Sequence, residues 1–330
     1  MSDPAPSPSE VRLHVVSGKG GTGKTTVAAA FALALARNGK QVLLCEVEGR
    51  QGIAQVFDVA PLPYEERSVA VAPGGGEVFA LAIDPEAALL EYLEMYYHLG
   101  RAGKALDRFG VVDFATTIAP GVRDVLLTGK VYEANRRRDK SGQPAYDAIV
   151  VDAPPTGRIA RFLNVNNEVA GLARVGPIRN QADSIMTMMR SRHTAVHLVT
   201  LLEDMPVQET LDGVAELRAS DLPVGHVIVN MVRPSPLDEL TRRRVATDGV
   251  AVDAVDAQLQ RAGLTPVPGL AEELLDEARH HVERLELEDE HAAGLKDLDV
   301  ALVHLEQLAD GVDLGGLYEL ADAMCQQGLV

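Results

Sequence analysis

The sequence predicts an α/β fold: a doubly wound, mainly parallel sheet of about seven or eight strands with helices on both faces. Three observations lead there. Short β-branched runs alternate with longer helical stretches along the chain. Several of those runs are apolar on both alternating faces, as in Ile149-Val150-Val151 and Val227-Ile228-Val229, the pattern of strands covered on both sides. The first run, Leu13 to Val16, passes through a glycine-rich turn straight into an apolar helical stretch that ends at Asn38-Gly39.

Taken in order, strands are expected near Arg12–Ser17, Gln41–Val47, Val78–Ile83, Asp147–Asp152, Ala195–Thr200, His226–Asn230 and Val300–Leu305. Met1 to Glu10 is rich in Pro and Ser with no apolar core, so residues 1–10 read as a disordered tail and not a signal peptide. Ala72-Pro73-Gly74-Gly75-Gly76-Glu77 reads as a turn before a strand. Asp84-Pro85-Glu86 carries a cap, a first-turn proline and an acid for the positive helix end, so a helix starts there. The chain then reads as mostly helical to about Arg138. Tyr92, Tyr96, Tyr97, Phe109 and Phe114 fall in this stretch and suit local packing better than a ligand box. Arg136-Arg137-Arg138 reads as a solvated helix end. A second helical piece, Asn164 to Arg192, holds Ile185, Met186, Met188 and Met189, a core filler before it is an adaptable surface. Pro236 to His291 is charged and helical; its histidines, His280, His281 and His291, read as solvated and not as metal ligands.

With 330 residues, 46% of them hydrophobic, the chain is long enough for one large domain over 11–330, with a helical subdomain from about 85–138 and 160–192. It contains no apolar run long enough to span a bilayer, so a cytoplasmic protein that is not integral to a membrane is expected. The formal charge of −17 disfavours a nucleic-acid partner. Of the 2 cysteines, Cys45 lies in an apolar strand, and without a C-x-x-C no zinc is expected.

The chemistry starts at the turn. Gly18-Lys19-Gly20-Gly21-Thr22-Gly23-Lys24-Thr25-Thr26 contains G-x-x-x-x-G-K-[ST], the loop that cradles nucleotide phosphates. Its glycines free backbone N–H groups to face the anion, and the helix that follows adds its positive end. Lys24 reaches the β- and γ-phosphates, and the Thr25 hydroxyl is set to hold Mg²⁺. Such a loop implies a P-loop NTPase. The ends of the predicted strands supply further polar groups at the same sheet edge: Glu46 and Glu48 after the second, Asp152 after the fourth, Asn230 after the sixth.

Lys19, directly after the first glycine, is more than a phosphate loop needs. With it, the loop resembles that of the arsenite-pump and tail-anchored-protein-targeting ATPases, a family of deviant-Walker-A ATPases within the class of MinD, ParA and the nitrogenase iron protein. Ala153-Pro154-Pro155-Thr156-Gly157-Arg158 is similar to the family's Asp-Thr-Ala-Pro-Thr-Gly switch and keeps its Pro-Thr-Gly core, with Arg161-Phe162-Leu163 following as in the family. Ala119-Pro120-Gly121 and Ala82-Ile83-Asp84-Pro85 add to the likeness, which extends from Val11 to about Gln327 and suggests an actinobacterial-type member.

The resemblance implies ATP and ADP with Mg²⁺ as ligands, and a dimer in which Lys19 reaches the partner subunit's nucleotide. It places Glu48 where the family has the Asp that orients attacking water, puts Glu46 and Asp152 on the Mg²⁺ shell, largely through water, and gives Asn230 the adenine edge. Glu46 and Glu48 could also be structural switch residues, and Asn230 a strand-end turn. Hydrolysis coupled to an unknown protein or small-molecule client is expected, from a homodimer or from a heterodimer with a paralogous ATPase. The longer Glu48 leaves open an interaction subunit with weak turnover. Two cysteines cannot form a three-thiol arsenite site, and the cysteines of the zinc clasp are missing.

Overall fold

The computed structural model describes residues 10–97, 121–172, 177–265, 267–309 and 311–330. Eight strands form one sheet: β1 (Leu13–Gly18), β2 (Gln41–Glu46), β3 (Arg67–Val71), β4 (Glu77–Ala82), β5 (Ala148–Asp152), β6 (Thr194–Thr200), β7 (Val224–Val232) and β8 (Leu302–Glu306). Their order is β3-β4-β2-β5-β1-β6-β7-β8. Every neighbouring pair is parallel except β3 with β4. The α/β architecture expected from the alternating runs is therefore present, and seven of its eight strands fall where those runs lie.

The strand that patterning did not reveal is β3. It is an antiparallel edge strand, its residues half-buried or exposed, and its first two are Arg67 and Ser68. An edge strand with one wet face lacks the continuous apolar run that marks a covered strand. The Ala72–Glu77 segment turns the chain from β3 into β4, as its glycines suggest.

Helix α1 (Lys24–Leu35) is buried on every side from Val27 onward, which fits its unbroken apolar sequence. The sheet lies on one side of it and α11 (Leu314–Gln326) on the other. It stops at Leu35, short of the expected Asn38-Gly39, because Asn38 and Gly39 take φ of +60° and +82° and turn the chain into β2. The intervening elements are α2 (Gly52–Val56), α3 (Pro85–Tyr97), α4 (Val122–Arg136), α5 (Thr156–Leu172), α6 (Pro177–Met189) and α7 (Asp204–Ala219). The charged stretch divides into α8 (Glu239–Ala246), α9 (Val252–Arg261) and α10 (Leu270–Lys296).

Ile185, Met186 and Met189 on α6 are buried, so this run fills core. Arg137 corrects the reading of a solvated basic helix end. It is half-buried, donates to both Glu66 oxygens at 2.6 and 2.7 Å, and meets Glu133 at 2.7 Å. The expectations for Phe109, Phe114 and residues 1–9, and for the side chains of Tyr92, Tyr96 and Tyr97, lie outside the described residues.

Three histidines cross the buried middle of the sheet on β1, β6 and β7. His14 and His197 stack at 5.4 Å, and His197 and His226 at 5.6 Å, while Phe31 of α1 meets the first two edge-on. His14 Nδ1 and His197 Nε2 share a hydrogen bond of 3.1 Å, and the backbone N–H of His226 donates to His197 Nδ1. Burial pushes His14 down to about 3, and it lowers His197 and His226 as well. The unfolded chain takes up protons here below pH about 6.5, whereas the folded chain resists. Stability is therefore complete above that pH and lost as pH falls toward 3, with a slope of up to ~1.4 kcal/mol per pH unit for each imidazole. We expect urea unfolding midpoints to drop steeply between pH 6.5 and 4.5, and a His14→Phe chain to show a shallower drop.

Candidate functional site

Gly18 closes β1 beside Val199 of β6. A β-carbon at position 18 would run into the Val199 carbonyl oxygen, so only glycine lets the loop leave the sheet here. Gly21 and Gly23 take φ of +92° and +83°, in the left-handed region that bends the loop back over the start of α1. Thr22 is buried and its hydroxyl donates to the Lys19 carbonyl at 2.8 Å. Gly20 and Gly21 are exposed, while Lys24, Thr25 and Thr26 sit half-buried in the first turn of α1. None of the first-turn residues of α1 is acidic, so the free N–H groups and positive end of the helix face the loop.

Asn230, on β7, holds the loop from below. Its amide donates to the Thr22 carbonyl at 2.9 Å, and a β-carbon on Gly23 would come within 2.5 Å of the same nitrogen. The side-chain oxygen of Asn230 is left as an acceptor.

The acids gather on the opposite side of Thr25. The hydroxyl of Thr25 donates to Asp152 Oδ2 at 2.6 Å. Glu46 ends β2 in register with Asp152. One of its carboxylate oxygens accepts the Ile53 N–H at 3.1 Å, and the other is buried with no partner among the described residues. Glu48, two residues on, is half-buried. Burial raises the Asp152 carboxyl to about 6; the Thr25 hydrogen bond and Lys24 pull it down, while Glu46 and Glu48 push it up.

Carboxylates gathered so closely, with one oxygen unpaired, lack positive charge. Hard oxygen donors around a loop threonine suit Mg²⁺. Among the described residues no group of three or more His, Cys, Asp or Glu is spaced to hold a metal by itself. The ion would therefore take part of its shell from nucleotide phosphate and water, its usual habit beside a phosphate loop.

The segment after Asp152 is tied to the loop strand. Ala153 N–H donates to the Val16 carbonyl at 2.9 Å, and the Ser17 hydroxyl donates to the Pro154 carbonyl at 2.6 Å. Pro155 is half-buried, and Thr156 opens α5 with its hydroxyl buried and without a partner among the described residues. Gly213 of α7 packs directly on the Thr156 methyl, where a β-carbon would collide.

The structure thus brings Gly18–Thr26, Glu46, Glu48, Asp152, Pro155 and Asn230 to one sheet edge. Three contributors were not singled out from the sequence. Ser17 sits one residue before the loop motif, a position with no signature of its own. Gly213 lies in an ordinary helical pattern. Glu209 of α7 accepts a charged hydrogen bond from Lys19 at 2.5 Å although 190 residues separate the two. No local spacing could report that contact.

Residues 11–193 match the family model described as anion-transporting ATPase. Over 321 residues the chain is 54% identical to ATPase BagA of Mycobacterium tuberculosis, covering 97% of this chain and 94% of that protein. It is 26% identical over 262 residues to ATPase GET3 of Kluyveromyces lactis, covering 69% and 74% of the two chains. It is 28% identical over 233 residues to the arsenical pump-driving ATPase of Acidiphilium multivorum, covering 66% of this chain and 39% of that one.

Two outcomes follow from this geometry. Asn230→Ala removes the support of the Thr22 carbonyl, at a cost of about 1 kcal/mol; a several-fold weaker affinity for a fluorescent ATP analogue is expected, read by titration. Lowering pH from 7.5 to 5.5 protonates Asp152, so magnesium-dependent nucleotide binding should weaken in isothermal titration.

Proposed function

Because the chain belongs to the anion-transporting ATPase family and is an ATP hydrolase, we propose that it works in the cytoplasm as a magnesium-dependent dimeric switch that couples hydrolysis to capture or release of a client. The observation that carries this reading is the convergence of a phosphate loop, three strand-end acids and a Pro-Thr-Gly segment on one edge of the sheet.

In this reading the loop N–H groups and Lys24 bind the triphosphate. Thr25, with Asp152 and Glu46 beyond it, would hold a magnesium ion, whose charge would offset that of the phosphates. Glu48 orients the attacking water and accepts its proton. Asn230 offers its free oxygen to the adenine amino group, which favours ATP over GTP. Lys19 completes the site of the opposite subunit. Pro155 and Thr156 sense the terminal phosphate, and the buried unpaired Thr156 hydroxyl is the group whose hydrogen bonding the nucleotide state would change. Because α5 runs from Thr156 to Leu172 and packs on α4, α6 and α7, a shift at its start moves the helices beyond it.

Two features bear on the client. Cys45 is fully buried, and burial pushes its thiol up to about 12, so it offers no thiolate for a metalloid. No helix among the described residues is long and apolar enough to cross a membrane. Glu48 supports a second reading of the rate: it is one methylene longer than aspartate, and hydrolysis is sensitive to about an ångström. A slow chain would suit an interaction subunit paired with a related ATPase.

Steady-state phosphate release from the purified chain tests the proposal. Lys24→Ala should lower release at least a hundredfold, and equal rates from the two proteins would refute it. Glu48→Asp distinguishes the two readings of the rate, since a severalfold gain is expected if side-chain length limits turnover.

A further inference from the structure

We infer that Glu209 is a positioning residue for Lys19, an intramolecular latch that keeps the lysine on its own subunit until nucleotide draws two subunits together. The inference rests on the dimeric reading above and adds the group that Lys19 must leave in order to cross. Lys19 Nζ lies 2.5 Å from Glu209 Oε1, with the two side chains 28% and 33% exposed. The ammonium therefore does not project freely toward a second chain. Any contact with the partner subunit's phosphates has to displace this carboxylate.

The latch is attached to the phosphate-sensing segment. Glu209 lies one turn before Gly213 on α7, and Gly213 packs against Thr156 so closely that a β-carbon would not fit. Val207, Thr210, Gly213 and Val214 lie on the buried face of α7, while half-exposed Glu209 meets Lys19 of the loop. Tight backbone packing transmits displacement in a way that flexible side chains do not. Movement of Thr156 when phosphate is bound or lost is thus felt by α7 one turn from the carboxylate. Through that contact the state of the nucleotide sets how firmly Lys19 is held in cis. The competition is between two ion pairs for one cation, and a half-exposed pair of this kind is worth a few-fold in an equilibrium constant.

The test is the dimerisation midpoint of the full chain with ATP and Mg²⁺, measured by analytical ultracentrifugation. Wild type, Glu209→Gln, Lys19→Ala and the double substitution are compared, with circular dichroism melting confirming that each is folded. Glu209→Gln should tighten the dimer about threefold. It should change nothing in the Lys19→Ala background, where a role limited to α7 packing would persist. Glu209→Lys, which repels Lys19 from its own subunit, should tighten the dimer further, and it stands in if the glutamine variant proves unstable. If wild type dimerises and Glu209→Gln leaves the midpoint unchanged or weaker, the latch is overturned while the dimeric reading stands. If neither protein dimerises at any concentration, both fall.

Discussion

A backbone carbonyl, that of Val199, lies against the α-carbon of Gly18. This close approach of β1 and β6 is the constraint on which the rest of the molecule depends. It forces glycine at the last position of the central strand and sends the loop off the sheet edge at one angle. The loop N–H groups then gather over the first turn of α1. That helix can serve as an anion platform because it is fixed: nine of its residues, Val27 to Leu35, are buried between the sheet and α11. A helix free to tilt would not hold its terminus within hydrogen-bond tolerance of a phosphate.

The same edge explains why polar groups cluster where a buried sheet would otherwise exclude them. Parallel strands end together, so Glu46 and Asp152 come into register though 106 positions apart. Burial, with Glu46 nearby, disfavours the charged form of Asp152 and raises its carboxyl. A divalent cation arriving with a nucleotide would relieve that penalty, and binding would then be coupled to the geometry of β2, β5 and the segments that leave them. The Ser17–Pro154 and Ala153–Val16 hydrogen bonds join the loop strand to the segment that opens α5.

The histidine ladder crosses the sheet on β1, β6 and β7, the loop strand and its two neighbours on one side. Phe31 meets the neutral imidazoles of His14 and His197 edge-on. His197 has both ring nitrogens hydrogen-bonded, to His14 Nδ1 and to the His226 backbone N–H, while His14 Nε2 and His226 Nδ1 are buried without a partner among the described residues. Such a partly paired buried polar ladder is tolerated while neutral and is costly once charged. The proposed magnesium site would need ionised carboxylates, so site and ladder would both favour near-neutral pH.

Much of this was legible in the chain itself. Seven strands and the phosphate loop follow from covered apolar runs and glycine spacing, which are local consequences of burial and backbone freedom. Asp152 and Asn230 could be placed because a parallel sheet aligns strand ends. The edge strand β3 was hidden because one wet face erases the apolar run, and Arg137 was misjudged because its partner Glu66 is 71 residues away. Ser17, Gly213 and Glu209 became visible only in three dimensions. Sequence determined the elements and the chemistry of the loop, since both are set by neighbours along the chain. Tertiary structure alone decided which distant side chains oppose one another, and so whether Lys19 stands free or is held by a glutamate, because Coulomb attraction and packing act through space without regard to chain separation.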